Sequence, residues 1–154
     1  MGTVIVLGSA NTDLTVRVER LPRPQETVTD GELSATYGGK GANQALAALK
    51  AGAKTRLIAR IGRDAFGERL FDHLVQSGLP NKYLLRDETE PAGVALIGVD
   101  RNGTNQIMVA PGSNRRLSPE DLSRLDRPFH GGSVFLAQLE TPLETVQNGL
   151  KAAR

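Results

Sequence analysis

The chain has 154 residues, enough for one domain with a packed core. With 19 basic against 17 acidic residues, a net charge of +2, it lacks the charge excess that would point to nucleic acid or an anionic membrane. It has no cysteine, which excludes a disulfide framework and thiolate chemistry, and its apolar runs reach neither membrane-spanning nor signal-peptide length. A soluble cytoplasmic protein is expected.

The continuous apolar run Val4-Ile5-Val6-Leu7, ending at Gly8, fits a strand buried on both faces. Ser9, Asn11 and Asp13 follow. Ligands of open α/β sheets bind just beyond the carboxyl ends of strands, so Asn11 and Asp13 are placed to hold a small polar ligand. They would equally serve to cap a turn. From Leu14 to Thr36 the pattern is β-like but patchy. Thr15, Val16 and Val18 form one short strand, Leu21-Pro22-Arg23-Pro24 breaks it, and Thr27 to Tyr37 fits half-exposed strands. This stretch reads as an insertion standing away from the main sheet.

Gly38-Gly39-Lys40-Gly41-Ala42-Asn43-Gln44 then enters a helix from Ala42 to Ala51, stopped by Gly52. Glycine lets backbone approach a ligand closely, and the first N–H groups of a helix lack internal partners. The stretch either offers donors to an electron-rich ligand or only turns the chain. It is not a Walker A loop, because Ser34 and Gly41 stand where that pattern needs Gly and Ser or Thr. Nor is it a dinucleotide fingerprint, because Gln44 replaces the third glycine.

Thr55 to Ile61 is the next strand, and Gly62-Arg63-Asp64 the turn after it. An amphipathic helix follows from Ala65 to Ser77, with Phe66, Leu70, Phe71, Leu74 and Val75 near helical spacing. Strand, insertion, helix, strand, helix is an α/β order. Gly93 to Val99 and Gln106 to Ala110 flank the turn Asp100-Arg101-Asn102-Gly103 and form a hairpin, which would join the earlier strands in a small second sheet. Asn102-Gly103-Thr104 fits a glycosylation sequon but reads as part of that turn.

Pro111 to Asn114 reads as a loop, and Leu117 to Leu125 as a short helix with Ser118 as N-cap. Ser133 to Ala137 is a third buried strand, with Glu140 just past its end. Thr141-Pro142-Leu143-Glu144 reads as a capping box, opening a helix whose apolar face is Leu143, Val146 and Leu150. Arg154 falls inside that helical pattern, and three core strands make a small sheet, so the chain reads as the front half of something larger. His73 and His130 lack metal-ligand spacing and are expected at the surface, as is the pair Arg115-Arg116.

Gly38 to Ala45, with Gly52 and Gly62 downstream, resembles the first signature of the ribokinase (PfkB) family of sugar kinases. Gly8-Ser9-Ala10-Asn11-Thr12-Asp13, Glu26-Thr27-Val28, Gly62 to Gly67, Gly93 to Ile97, Gly112-Ser113-Asn114 and Gln138 to Glu144 continue the resemblance in the family's order. Together they fit best the members that act on D-ribose. The resemblance implies a three-layer α/β/α core, here its N-terminal half, covering 1–154. It also implies a small β-sheet lid from segments about 14–37 and 92–110. By motif position, Asn11, Asp13, Gly39, Lys40, Asn43 and Glu140 would bind the sugar, with Ala95, Ile97 and Val109 as the lid's apolar face.

The implied reaction is ATP-dependent phosphorylation of D-ribose at O5, with Mg2+ and a monovalent cation (K+), in a homodimer joined through the lid. The family's second signature, a Gly-Ala-Gly-Asp segment whose Asp is the catalytic base, does not occur in the 154 residues. The nucleotide, metal and potassium sites belong to the same absent half. No catalytic or metal-binding residue is therefore expected here, and the chain alone is expected to be inactive. The other expectations are a non-catalytic sugar-binding or dimerising remnant, or a kinase of the same family for another sugar or a nucleoside.

Overall fold

The computed structural model describes residues 2–153; Met1 and Arg154, the ends of the expected unit, lie outside the described residues. Two four-stranded sheets organise the chain. The core sheet has the order β5-β4-β1-β8, with β1 (Thr3–Leu7), β4 (Lys54–Gly62), β5 (Leu84–Asp87) and β8 (Gly132–Ala137) all parallel. Strand alternation feeds two separate apolar layers. Val6, Leu57, Ala59 and Ile61 pack with α1 (Lys40–Lys50) and α2 (Ala65–Gln76) through Ala42, Ala45, Leu70 and Leu74. Ile5, Leu7 and Ile58 face the other way, towards Leu117, Leu122 of α3 (Pro119–Arg124) and Val146 of α4 (Leu143–Ala152). Helices on both faces of a parallel sheet make the three-layer α/β/α arrangement.

The core has four strands rather than three. β5 follows a single 3-10 turn at Asn81–Tyr83 and has only four residues, Leu-Leu-Arg-Asp, too short for alternation to show in the sequence. The Leu117–Leu125 expectation holds in substance: α3 is capped by Ser118 and Asp121, with Pro119 in its first turn. The capping box at Thr141 does not form. Pro142 takes the N-cap position with no side-chain bond, and the Thr141 hydroxyl is buried without a partner. Thr141 is buried one residue before the cap rather than at it. Of the expected apolar face of α4, only Val146 is buried; Leu143 and Leu150 are exposed, as is Leu139.

The second sheet has the order β3-β2-β6-β7, built from β2 (Asn11–Arg17), β3 (Glu32–Gly38), β6 (Gly93–Val99) and β7 (Asn105–Ala110). β2 starts earlier than expected, so Asn11 and Asp13 sit within a strand rather than in a loop. Their alternation with Thr12 and Leu14 fits a sheet with two different faces. Only Glu32 onward of the Thr27–Tyr37 stretch is strand; the preceding residues form an irregular loop held by Arg20 and Arg23 on Glu26. The Pro111–Asn114 loop is tighter than expected, a 3-10 turn over Gly112–Arg116. Among the described residues, no helix is long and apolar enough to cross a membrane.

Candidate functional site

The site forms where the two sheets meet. β1 ends at Leu7, and after three intervening residues the chain enters β2, so Ser9, Ala10 and Asn11 lie at the carboxyl end of the core sheet. Helix α1 starts against the same corner: Ala42 N donates to Ser9 O at 2.9 Å. Gly39 is its N-cap with φ +89°, a conformation that side chains disfavour. A Cβ there would lie 2.8 Å from Ala10 Cα and 2.9 Å from Asn11 N, so glycine is what lets the helix end reach the β1–β2 corner.

Glu140, just past β8, closes the other side. Ser9 Oγ donates to Glu140 Oε2 at 2.6 Å, and Lys40 N donates to the same oxygen at 3.3 Å. Lys40 Nζ ion-pairs with Glu140 Oε1. Burial raises the Glu140 carboxyl, but the bonds from Lys40 and Ser9 outweigh it and hold it below its ordinary value. Asp13 goes the other way: burial, then the Glu140 charge, raises it above its ordinary 3.8.

Strand register sets the rest. Asp13 pairs with Ala95 and Thr36, and Ala95 pairs with Val109, so Asp13, Ala95 and Val109 form one row across the sheet face shared with Asn11. A cleft of about 260 Å³ opens here, lined by Ser9, Asn11, Val109, Pro111, Asn114 and Glu140.

Three of the nine residues expected from sequence, Asn11, Val109 and Glu140, line this cleft directly. Gly39 and Lys40 adjoin it through Glu140 and the β1–β2 corner, and Asp13 and Ala95 continue the row beside Val109. Asn43 is exposed on the first turn of α1, with no side-chain hydrogen bond among the described residues. Ile97 borders an apolar groove towards the outer end of the second sheet rather than this cleft. His130 is exposed, whereas His73 is half-buried, stacked on Tyr37 with ring centroids 4.6 Å apart. The exposed Arg116 reaches back to Asp87 at 3.3 Å.

Sequence reasoning missed Ser9, Pro111 and Asn114 as site residues. Gly112-Ser113-Asn114 was a visible motif, but nothing in it shows that its asparagine returns to the β1–β2 corner. Chemically, the cleft offers the Glu140 carboxylate, the Asn11 amide and the Ser9 hydroxyl against Val109 and Pro111, with Asp13 and Lys40 adjoining. That set suits a small neutral molecule with several hydroxyls.

The model of the pfkB family carbohydrate kinases matches residues 1–153. The chain is 36% identical over 152 residues to a ribokinase of Haemophilus influenzae, covering 99% of this chain and 50% of the relative. It is 33% identical over 148 residues to a deoxyribokinase of Salmonella typhi, covering 96% and 48%. A solved structure of Arabidopsis thaliana ribokinase complexed with ribose and ATP superposes with a TM-score of 0.78 at 30% identity, covering 98% of this chain and 50% of that one. The chain spans about half the length of the curated relatives it matches.

Proposed function

The chain belongs to the pfkB family of carbohydrate kinases, and from that premise we propose that it forms the sugar-binding part of an ATP-dependent kinase for D-ribose, phosphorylated at O5. The observation that carries the reading is the meeting of Asn11, Glu140 and Lys40, from three separate stretches, around one cleft beside Asp13. Asp13 and Glu140 accept from sugar hydroxyls, while Lys40 and the backbone at Gly39 and Lys40 donate. Val109 and Ala95 cover the carbon face of the ring. The second sheet acts as a lid, excluding water that would compete as phosphoryl acceptor.

The residues present do not fit a metal site. Among the described residues no three His, Asp or Glu side chains gather to hold a metal. In this reading ATP, Mg2+ and K+ are held by residues other than these. The test is to incubate the protein with D-ribose, ATP, Mg2+ and K+, follow the C5 phosphate by NMR, and measure ribose binding by calorimetry. Ribose binding without turnover fits this chain on its own. Absence of ribose binding while 2-deoxyribose or adenosine binds would replace ribose by that substrate.

The exposed apolar groove on the outer face of the second sheet favours a second reading, a non-catalytic sugar-binding or dimerising module, which turnover by the 154 residues would eliminate. In either reading the lid is the dimer contact. Its outer face carries Leu14, Val16, Leu33, Leu96 and Met108 around an apolar groove of about 370 Å³, with Leu33 71% and Met108 69% exposed. Light scattering should show a dimer that Leu33→Lys with Met108→Lys converts to monomer; a monomeric parent chain refutes this contact.

A further inference from the structure

Asn114 follows the second sheet's last strand yet returns to the point where that sheet begins. It is 2% exposed. Its Oδ1 accepts from Ala10 N at 2.9 Å. Its Nδ2 donates to Pro111 O at 3.0 Å, Ala10 O at 3.2 Å and Asn11 Oδ1 at 2.8 Å. The Ala10 N–H fixes the Asn114 amide, and the two hydrogens of its Nδ2 are shared among three acceptors. A backbone N–H can only donate, so the Asn114 atom facing Ala10 N is oxygen. The other atom is then nitrogen, as its two carbonyl partners also require. The Asn11 atom facing that nitrogen is oxygen, because its own amide nitrogen there would set two donors against each other at 2.8 Å.

Gly93, at the start of β6, leaves room for this pair: a Cβ there would lie 2.2 Å from Asn11 Oδ1 and 2.3 Å from Asn114 Nδ2. Asn11 lines the cleft, and among the described residues its Nδ2 has no protein partner.

The geometry points to Asn114 as a positioning residue: it locks Asn11 with its amide nitrogen turned to the cleft, so that Asn11 meets the ligand as a hydrogen-bond donor. The same side chain pins the two junctions between core and lid, at Ala10 and at Pro111. This inference rests on the sugar-binding reading of the cleft. With Asn11 restricted to donating, Asp13 is left as the acceptor beside it on that face. A ligand then needs an accepting oxygen at Asn11 and a donating hydroxyl at Asp13, an order that neighbouring hydroxyls of a sugar supply.

A double-mutant cycle on ribose affinity tests the idea with the full 154-residue chain. Asn114→Ala should weaken binding about tenfold when Asn11 is present. In an Asn11→Ala background it should change binding by no more than about twofold, because its effect passes through Asn11. Equal losses in both backgrounds would make Asn114 merely structural and overturn the proposal. If the Asn114 variants do not fold, or the parent chain binds no ribose, NMR of the labelled parent chain decides. Coupling across the hydrogen bond should run from Asn114 Nδ2 to the Asn11 side-chain carbonyl carbon. Coupling from Asn11 Nδ2 to the Asn114 carbonyl overturns the lock. Failed ribose binding with the expected coupling removes the sugar reading alone and keeps the orientation of Asn11.

Discussion

Replacing Gly39 by alanine tests the corner on which the site depends. Gly39 holds φ +89° and ψ 137°, a region almost restricted to glycine, which costs a side-chain-bearing residue about 1–3 kcal/mol. The added Cβ would also meet Ala10 Cα at 2.8 Å, Asn11 N at 2.9 Å and Ser9 O at 2.9 Å. All three are backbone atoms, so no side chain can swing aside, and overpacking adds about 1–3 kcal/mol. The sum, about 2–6 kcal/mol, is a large part of the ~5–15 kcal/mol that holds a domain folded. At about 2–4 °C per kcal/mol for a chain of this size, Gly39→Ala should melt roughly 5–20 °C lower by circular dichroism. Relief of the clash moves the start of α1 away from Ser9 and loosens the Ser9–Glu140 and Lys40–Glu140 contacts. Ribose affinity should therefore fall even well below the melting point. A loss under about 1 kcal/mol would show that the corner relaxes freely and that the close approach is not needed.

Asp13→Asn should separate binding from stability. The folded carboxyl titrates above its ordinary 3.8 because of burial and then Glu140, so the fold favours the protonated form and loses stability as pH rises through that window. At neutral pH Asp13→Asn should thus melt higher than the parent while binding ribose more weakly; a lower melting temperature contradicts the assigned environment. Asp87 has the opposite sign. It accepts from Thr89 N and Glu90 N at 2.9 Å and from Arg60 Nε at 2.6 Å, and although burial pushes it up, these bonds hold it well below the ordinary range. Its contribution is present above the ordinary carboxyl value and is lost as pH falls through the depressed one. Asp87→Ala should cost about 3–5 kcal/mol at pH 7 by leaving Arg60 short of a buried partner, and should flatten the acid limb of stability against pH. Unchanged denaturation midpoints would refute it.

Much of the core was legible because burial on both faces leaves continuous apolar runs such as Val4 to Leu7. Helix α2 announced itself by its apolar period and α1 by its stop at Gly52. β5 was not legible, because four residues on an edge carry no pattern and Arg86 within it pairs with Glu68 of α2. The start of β2 was missed for a related reason: Asn11 and Asp13 are poor strand formers, placed in a strand by pairing with Gly38, Thr36, Gly93 and Ala95. Asn11, Asp13 and Glu140 were visible as polar residues at strand ends. Ser9 and Asn114 were not visible as site residues, since their roles lie in bonds to residues distant in the chain.

The pairing of β2 with β6 has a kinetic consequence. Its register joins Asn11 to Gly93 and Arg17 to Val99, with α1, β4, α2 and β5 all lying between them in the chain. The intervening loop closes most readily once those elements have condensed, because only then are the two strands held near each other. The β2–β3 and β6–β7 ladders can each form early from nearby residues, but the seam between them must come late. The second sheet should be the last part to assemble and the first to lose amide protection, which would make its departure from the core a partial unfolding rather than a hinge swing.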